Sequence, residues 1–357
     1  MLGRPTGGLF FISSLIQSCN TFSLKQPQTL AVLAEALARF RERRHKLVKI
    51  EAVRHNVRDF AVTRVRHLHA SVRIEEVKAV VNRLTGALVR AFLVMVLIIA
   101  PSVILPGMTT DTKQMVALVA LFAGALTFVE YKSTYPGLIE FRDAPPFNRI
   151  RYLMLFSILF FLTLVSADQI EPTAFTRLTA AVALVIGGAM DFPYSPVRLA
   201  TLSLSGQASA EQIMLVRASV GFAYFVSLVA LAFFVITLKL VGWPARNQSF
   251  NVWINLPTFD PSAGGDVVER MERDARINLA LGFLLPFLVP AVIKVASLGF
   301  DPVTLSSPLT LIWTIAAWAF LPASLLMRGI AMSRIADMIR QKRQLNGGQP
   351  SSAYFPA

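Results

Sequence analysis

Apolar and polar positions divide this chain into an amphipathic leading arm and a series of wholly apolar runs. From Gln28 to Thr85 there is neither proline nor glycine, and Pro27 and Gly86 punctuate the two sides. Within that stretch apolar residues recur in steps of three and four, at Leu30, Leu33, Leu37 and Phe40, then at Ile50, Val53, Val57 and Phe60. Such spacing places one apolar stripe along a helix. The stripe slips register between Leu47 and Ile50, so a continuous two-stranded coiled coil is not supported. The pattern predicts one long helix, or two joined near Ser71, with a cationic face that includes Arg41, Arg43, Arg44, Lys46, Arg54 and Arg58.

Downstream the amphipathic pattern gives way to seven apolar runs: Ala87–Leu105, Gln114–Val129, Tyr152–Ala167, Leu178–Met190, Val216–Leu238, Ile277–Leu298 and Leu309–Met327. Positive charge decides how many of them cross a bilayer, because lysine and arginine collect on the cytoplasmic side. If all seven cross with the arm inside, the bases of 239–276 and of the tail after Met327 fall outside. If Leu178–Met190 enters and leaves on one side, both groups move inside. The outside then keeps only Lys113, Arg177, Arg198 and Arg217. Length agrees, since 13 residues make a helix of about 20 Å against a hydrocarbon core of about 30 Å. The predicted fold is all-α: a polytopic membrane bundle of six spans plus one re-entrant or interfacial segment, with seven spans as the alternative. Residues 1–86 form the basic helical arm, 87–328 the transmembrane bundle, and 329–357 a basic, partly disordered tail. Met1–Cys19 is expected to be a frayed or interfacial leader rather than a processed signal, its apolar run being short.

Composition sharpens this picture. Hydrophobic residues make up 54% of 357 and charged residues 16%, where soluble domains carry about 25% charged; lipid is therefore the solvent for much of the chain. The net charge is +14, and residues 1–86 hold fifteen Lys/Arg against six Asp/Glu. A basic amphipathic helix beside a membrane suits an anionic cytoplasmic leaflet. No zinc, glycine-rich or aromatic-interleaved module accompanies it, so nucleic acid is not an expected partner. A single cysteine, Cys19, excludes multi-cysteine metal and redox sites. All four histidines lie in the arm, and no cofactor or metal site is expected.

Chemistry inside the bilayer needs ionisable groups there, yet the runs carry no internal Asp or Glu, and Lys294 sits four residues from its run's end, close enough to snorkel. Pro286, Pro290 and Pro322 are expected to bend their helices. The densest polar stretch is Glu130–Arg151, with acids and bases interleaved among aromatics. Pro136-Gly137 suits the centre of a type II turn, and Pro145-Pro146 predicts a short extended piece. Internal pairing is expected between Glu140 and Arg142 or Arg149, and between Asp143 and Arg151. As a docking surface for a partner or a lipid headgroup the stretch offers Glu130, Tyr131, Tyr135, Glu140, Arg142, Asp143 and Arg149. Together these features point to a non-catalytic interaction or assembly subunit of a bacterial-type inner membrane, both termini cytoplasmic, that engages anionic lipid, a protein partner or a second copy. The alternatives are a channel or uncoupled transporter through 178–196, and a lipid-modifying enzyme using Glu140 and Asp143.

Overall fold

A computed structural model describes residues 35, 38–46, 75, 78, 80–142, 145–204, 208–244, 252–260, 262, 264–296 and 307–345. Two compact units emerge, 1–80 and 81–357. In the first, residues 38–46 are helical and exposed, with Glu35–Arg39 and Glu42–Lys46 ion pairs one turn apart, an orientation that favours a helix.

Among the described residues of the second unit every regular element is a helix. Its elements are α1 (Val80–Ile104), α2 (Thr110–Lys132), α3 (Pro145–Asp168), α4 (Ala174–Met190), α5 (Pro196–Ser203), α6 (Ala210–Val241), α7 (Val252–Asn255), α8 (Val267–Ala296) and α9 (Pro308–Leu345). Six of these, α1, α2, α3, α6, α8 and α9, are long and apolar enough to cross a membrane, while α4 is shorter. This is the build of a multi-pass helical membrane protein.

Local chemistry starts and stops these helices. Thr109, Ser195 and Ser209 cap α2, α5 and α6, each accepting the N–H three residues on. Thr173 and Thr176 form a reciprocal capping box on α4. Gly242 closes α6 in the left-handed region at φ 64°, which costs glycine little. The Pro145-Pro146 pair opens α3 instead of forming an extended piece. Proline is at home in a first turn, where its missing N–H has no intrahelical acceptor.

Two antiparallel pairs organise the bundle. Phe147 meets Phe234 with ring centroids 5.7 Å apart, and Phe161 meets Phe222 at 5.3 Å, so α3 and α6 run in opposite directions. Residues 168 and 210 therefore lie at one end of the bundle. The α8–α9 hairpin is aligned by Asp266 with Arg343 at its open end and by the Trp318 indole N–H donating to the Pro286 carbonyl at 3.3 Å. That last bond has a specific origin. Pro290 has no N–H to give the carbonyl four residues back, which is that of Pro286, and Trp318 supplies the missing donor.

Small residues permit the closest approaches, as is usual where lipid gives no hydrophobic drive between helices. A Cβ on Gly221 of α6 would lie 2.5 Å from the Gly187 Cα of α4. Gly282 and Gly329 are pressed likewise between α8 and α9. Helix α2 leans on α1 where Gly124 faces Met95 and Ala91, and it leaves Met115, Leu118, Leu121 and Phe122 exposed. One apolar cluster joins α3, α6, α8 and α9, with Phe141, Phe147, Phe234, Leu256, Met271 and Met327 fully enclosed.

Candidate functional site

The polar stretch at 130–142 folds back as a clasp on one end of this bundle. Glu130, two residues from the end of α2, turns its carboxylate inward. Its Oε2 accepts N–H bonds from Gly137 at 3.0 Å, Leu138 at 3.0 Å and Ile139 at 3.4 Å. Three amides around one carboxylate oxygen satisfy donors that no helix or strand takes. Gly137 keeps an ordinary φ, so the expected type II turn is not what forms; the left-handed residue is Phe141, at φ 54°. A non-glycine residue in that region costs about 1–2 kcal/mol. Its surroundings hold it there: Phe141 N–H donates to the Asn255 carbonyl at 2.6 Å, and its ring packs 4.1 Å from Phe147 and 6.2 Å from Trp243.

Glu140 then reaches across the bundle. Arg328 of α9 donates to it from Nε at 2.6 Å and Nη2 at 2.9 Å, and the Thr258 hydroxyl adds a third bond at 2.6 Å. Glu140 thus pairs with Arg328, not with Arg142 or Arg149 as expected from sequence proximity. Arg142 instead donates to the Ser133 carbonyl at 2.5 Å, bracing the turn, while Asn148 of α3 donates to the Glu140 and Phe141 carbonyls. Arg151 stands beneath this group, its guanidinium 5.2 Å from the Phe147 ring and 5.6 Å from that of Phe320. Its buried Nε has no hydrogen-bond partner, and it feels the charges of both Glu140 and Arg328.

The other residues read from sequence are distributed as follows. Tyr131 lies under the Arg90 guanidinium of α1, 4.6 Å away. Tyr135 and Arg149 are exposed. In the arm, Arg41, Arg43, Arg44 and Lys46 are exposed on the 38–46 helix. Asp143, Arg54 and Arg58 lie outside the described residues.

Beside the clasp, α8 begins outside its apolar run. Asp266 Oδ1 accepts the Val268 N–H at 3.0 Å and meets Arg343 at 2.9 Å. These contacts hold the Asp266 carboxyl below its ordinary value, first through the backbone amide and then through Arg343. Arg340 pairs with Glu272 and Asp337. Arg270 stacks 5.3 Å from the Phe259 ring, yet its Nε and Nη2 are buried without acceptors. Eight residues between Gly264 and Arg276, among them Arg270, Arg273 and Arg276, line a cleft of about 570 Å³.

Sequence reasoning missed Arg328 and Thr258 as members of this site; Arg151 closes the polar stretch read from sequence, but its expected partner Asp143 lies outside the described residues. Arg328 carried one signal, being the first base after its apolar run, but nothing local ties it to Glu140. Among the described residues no group of three or more His, Cys, Asp or Glu is placed to hold a metal ion. The chain matches no known family model, no curated protein and no solved structure.

Proposed function

We propose that this chain is a non-catalytic interaction or assembly subunit of a bacterial-type inner membrane, with six crossings and both termini cytoplasmic. It docks anionic lipid or a partner through the end that carries the clasp. The observation behind this reading is how charge is spent there. Glu130 is engaged by backbone amides and Glu140 by Arg328, and Asp266 and Glu272 are paired with Arg343 and Arg340, while Arg149, Arg273 and Arg276 stay exposed. Such an end presents a cationic face.

The six-crossing count draws support from the same contacts. Clasp, connector and α9 meet through Glu140, Thr258 and Arg328, and a seven-span path puts the clasp on the opposite face from the other two. With residues 168 and 210 at one end, α4 and α5 together make an excursion that returns to its own side, as a re-entrant segment does, with one face of α4 packed on α3 and α6. Extraction from the native membrane in mild detergent, followed by native mass spectrometry, tests the docking reading. It expects retained anionic lipid or a stoichiometric protein partner. A lone, lipid-free monomer contradicts it.

A channel or uncoupled transporter is the second reading, favoured by the buried, unpartnered hydroxyls of Ser166 on α3 and Ser219 on α6, the helices against which α4 packs. Solute flux in proteoliposomes that falls in Ser219→Val supports it, and tight vesicles end it.

A further inference from the structure

We infer that the first three turns of α8 form a binding site for the phosphate of an anionic phospholipid headgroup, held by Arg270, Arg273 and Arg276. This rests on the docking reading above and gives it a ligand class and an address. The three arginines line one cleft. Among the described residues none of them has an ion-pair partner within 4.0 Å, although Glu269 and Glu272 stand one turn before Arg273 and Arg276, the spacing at which helical pairs form. Glu272 is taken by Arg340 and Asp266 by Arg343, which leaves Glu269 as the one lining carboxylate not committed to a pair. The lining therefore keeps an excess of positive charge.

Arg270 adds the sharper observation. Its guanidinium is fixed against Phe259, and two of its N–H groups are buried with no acceptor. A charged donor left so is costly unless an anion completes it. The guanidinium fork suits a phosphate, whose oxygens accept in pairs.

Position selects a lipid over a soluble anion. The apolar run of α8 starts at Ile277, so Arg276 marks the edge of the hydrocarbon. At 1.5 Å per residue Arg273 and Arg270 stand about 4.5 and 9 Å farther out. The headgroup layer is about 5–8 Å deep on each side of the bilayer, and the three side chains span it.

The test uses the full chain in detergent, with lipid binding followed by native mass spectrometry. The probes are phosphatidylglycerol, phosphatidylcholine and inorganic phosphate. R273Q/R276Q removes two exposed charges and leaves the Arg270–Phe259 stack intact; K113Q/R177Q removes two exposed charges at the opposite end. At about 1 kcal/mol per surface arginine, R273Q/R276Q weakens phosphatidylglycerol binding about thirtyfold, and K113Q/R177Q leaves it unchanged. If R273Q/R276Q binds phosphatidylglycerol as tightly as the unmodified chain, the site is wrong while lipid docking stands. If the unmodified chain shows no preference for phosphatidylglycerol over phosphatidylcholine, the lipid arm of the docking reading fails with it. If inorganic phosphate competes as well as the lipid does, the ligand is a soluble anion and the lipid assignment is overturned.

Discussion

Replacing Glu140 with glutamine tests the clasp where its energy is concentrated. The carboxylate is 13% exposed and Arg328 22% exposed, and three hydrogen bonds converge on the acid. Losing one partner of a fully buried ion pair costs about 3–5 kcal/mol, mostly through the charge left behind. Partial exposure lowers that, and about 2–3 kcal/mol is expected for E140Q. The reverse change is milder. R328M leaves Glu140 its Thr258 bond and the field of Arg151, so about 1–2 kcal/mol is expected. The asymmetry is diagnostic, because it arises from Arg151 sharing the same carboxylate. Combined in one chain, the two changes should fall short of their sum by about 1–2 kcal/mol. Reversible unfolding in mixed micelles, read by tryptophan fluorescence, measures all three; Trp243 packs on Phe141 and reports on the clasp itself. Additive effects within about 0.5 kcal/mol, or a larger cost for R328M than for E140Q, would refute the reasoning.

Other expectations follow from particular contacts. Gly187→Ala forces its new Cβ to 2.7 Å from the Ala218 Cα and should destabilise by about 1–3 kcal/mol, whereas Gly188→Ala meets open space and should be neutral or stabilising in the same unfolding assay. Trp318→Phe strands the Pro286 carbonyl and should cost about 0.6–1.5 kcal/mol; Pro290→Ala in the Trp318→Phe background restores a helical donor and should recover part of the loss. Asp266 titrates below its unfolded value. Its contribution is therefore complete above the ordinary carboxylate pKa of about 3.9 and is lost as pH falls through the lower folded value. Hydrogen exchange at Val268–Arg270, corrected for intrinsic rate, should rise in that acid window; D266N should show the raised exchange already at neutral pH and no acid step.

The spans were legible because apolar runs of about 20 residues have few other homes, and the run at Leu178–Met190 was set apart by the placement of Lys and Arg around it, since other runs are nearly as short. Helix ends were legible only in part. The Asp266-Val-Val-Glu269 capping pattern marks the start of α8 ten residues before its apolar run, and Asp266 does accept the Val268 N–H. Nothing comparable marks the eighteen residues by which α9 outruns its own; both amphipathic extensions form because they bury Met271, Ala275, Met332 and Ile335 against neighbouring elements. In the clasp, composition marked the right stretch but not its wiring. Glu140 and Arg328 lie 188 residues apart, and no local spacing encodes that pair. Gly137 looked like the turn-former from its residue type. The Glu130 carboxylate reorganised the turn, and the left-handed conformation passed to Phe141.

The central claim is that clasp, connector and α9 tail share one face of the membrane. It is tested most directly by single cysteines at Tyr135, Thr258 and Leu345 in a C19S background, labelled with an impermeant maleimide in sealed vesicles of known orientation. All three are expected to be labelled from the same side, and a cysteine at Lys113 only from the other. Labelling of residues 135 and 258 from opposite sides would contradict it.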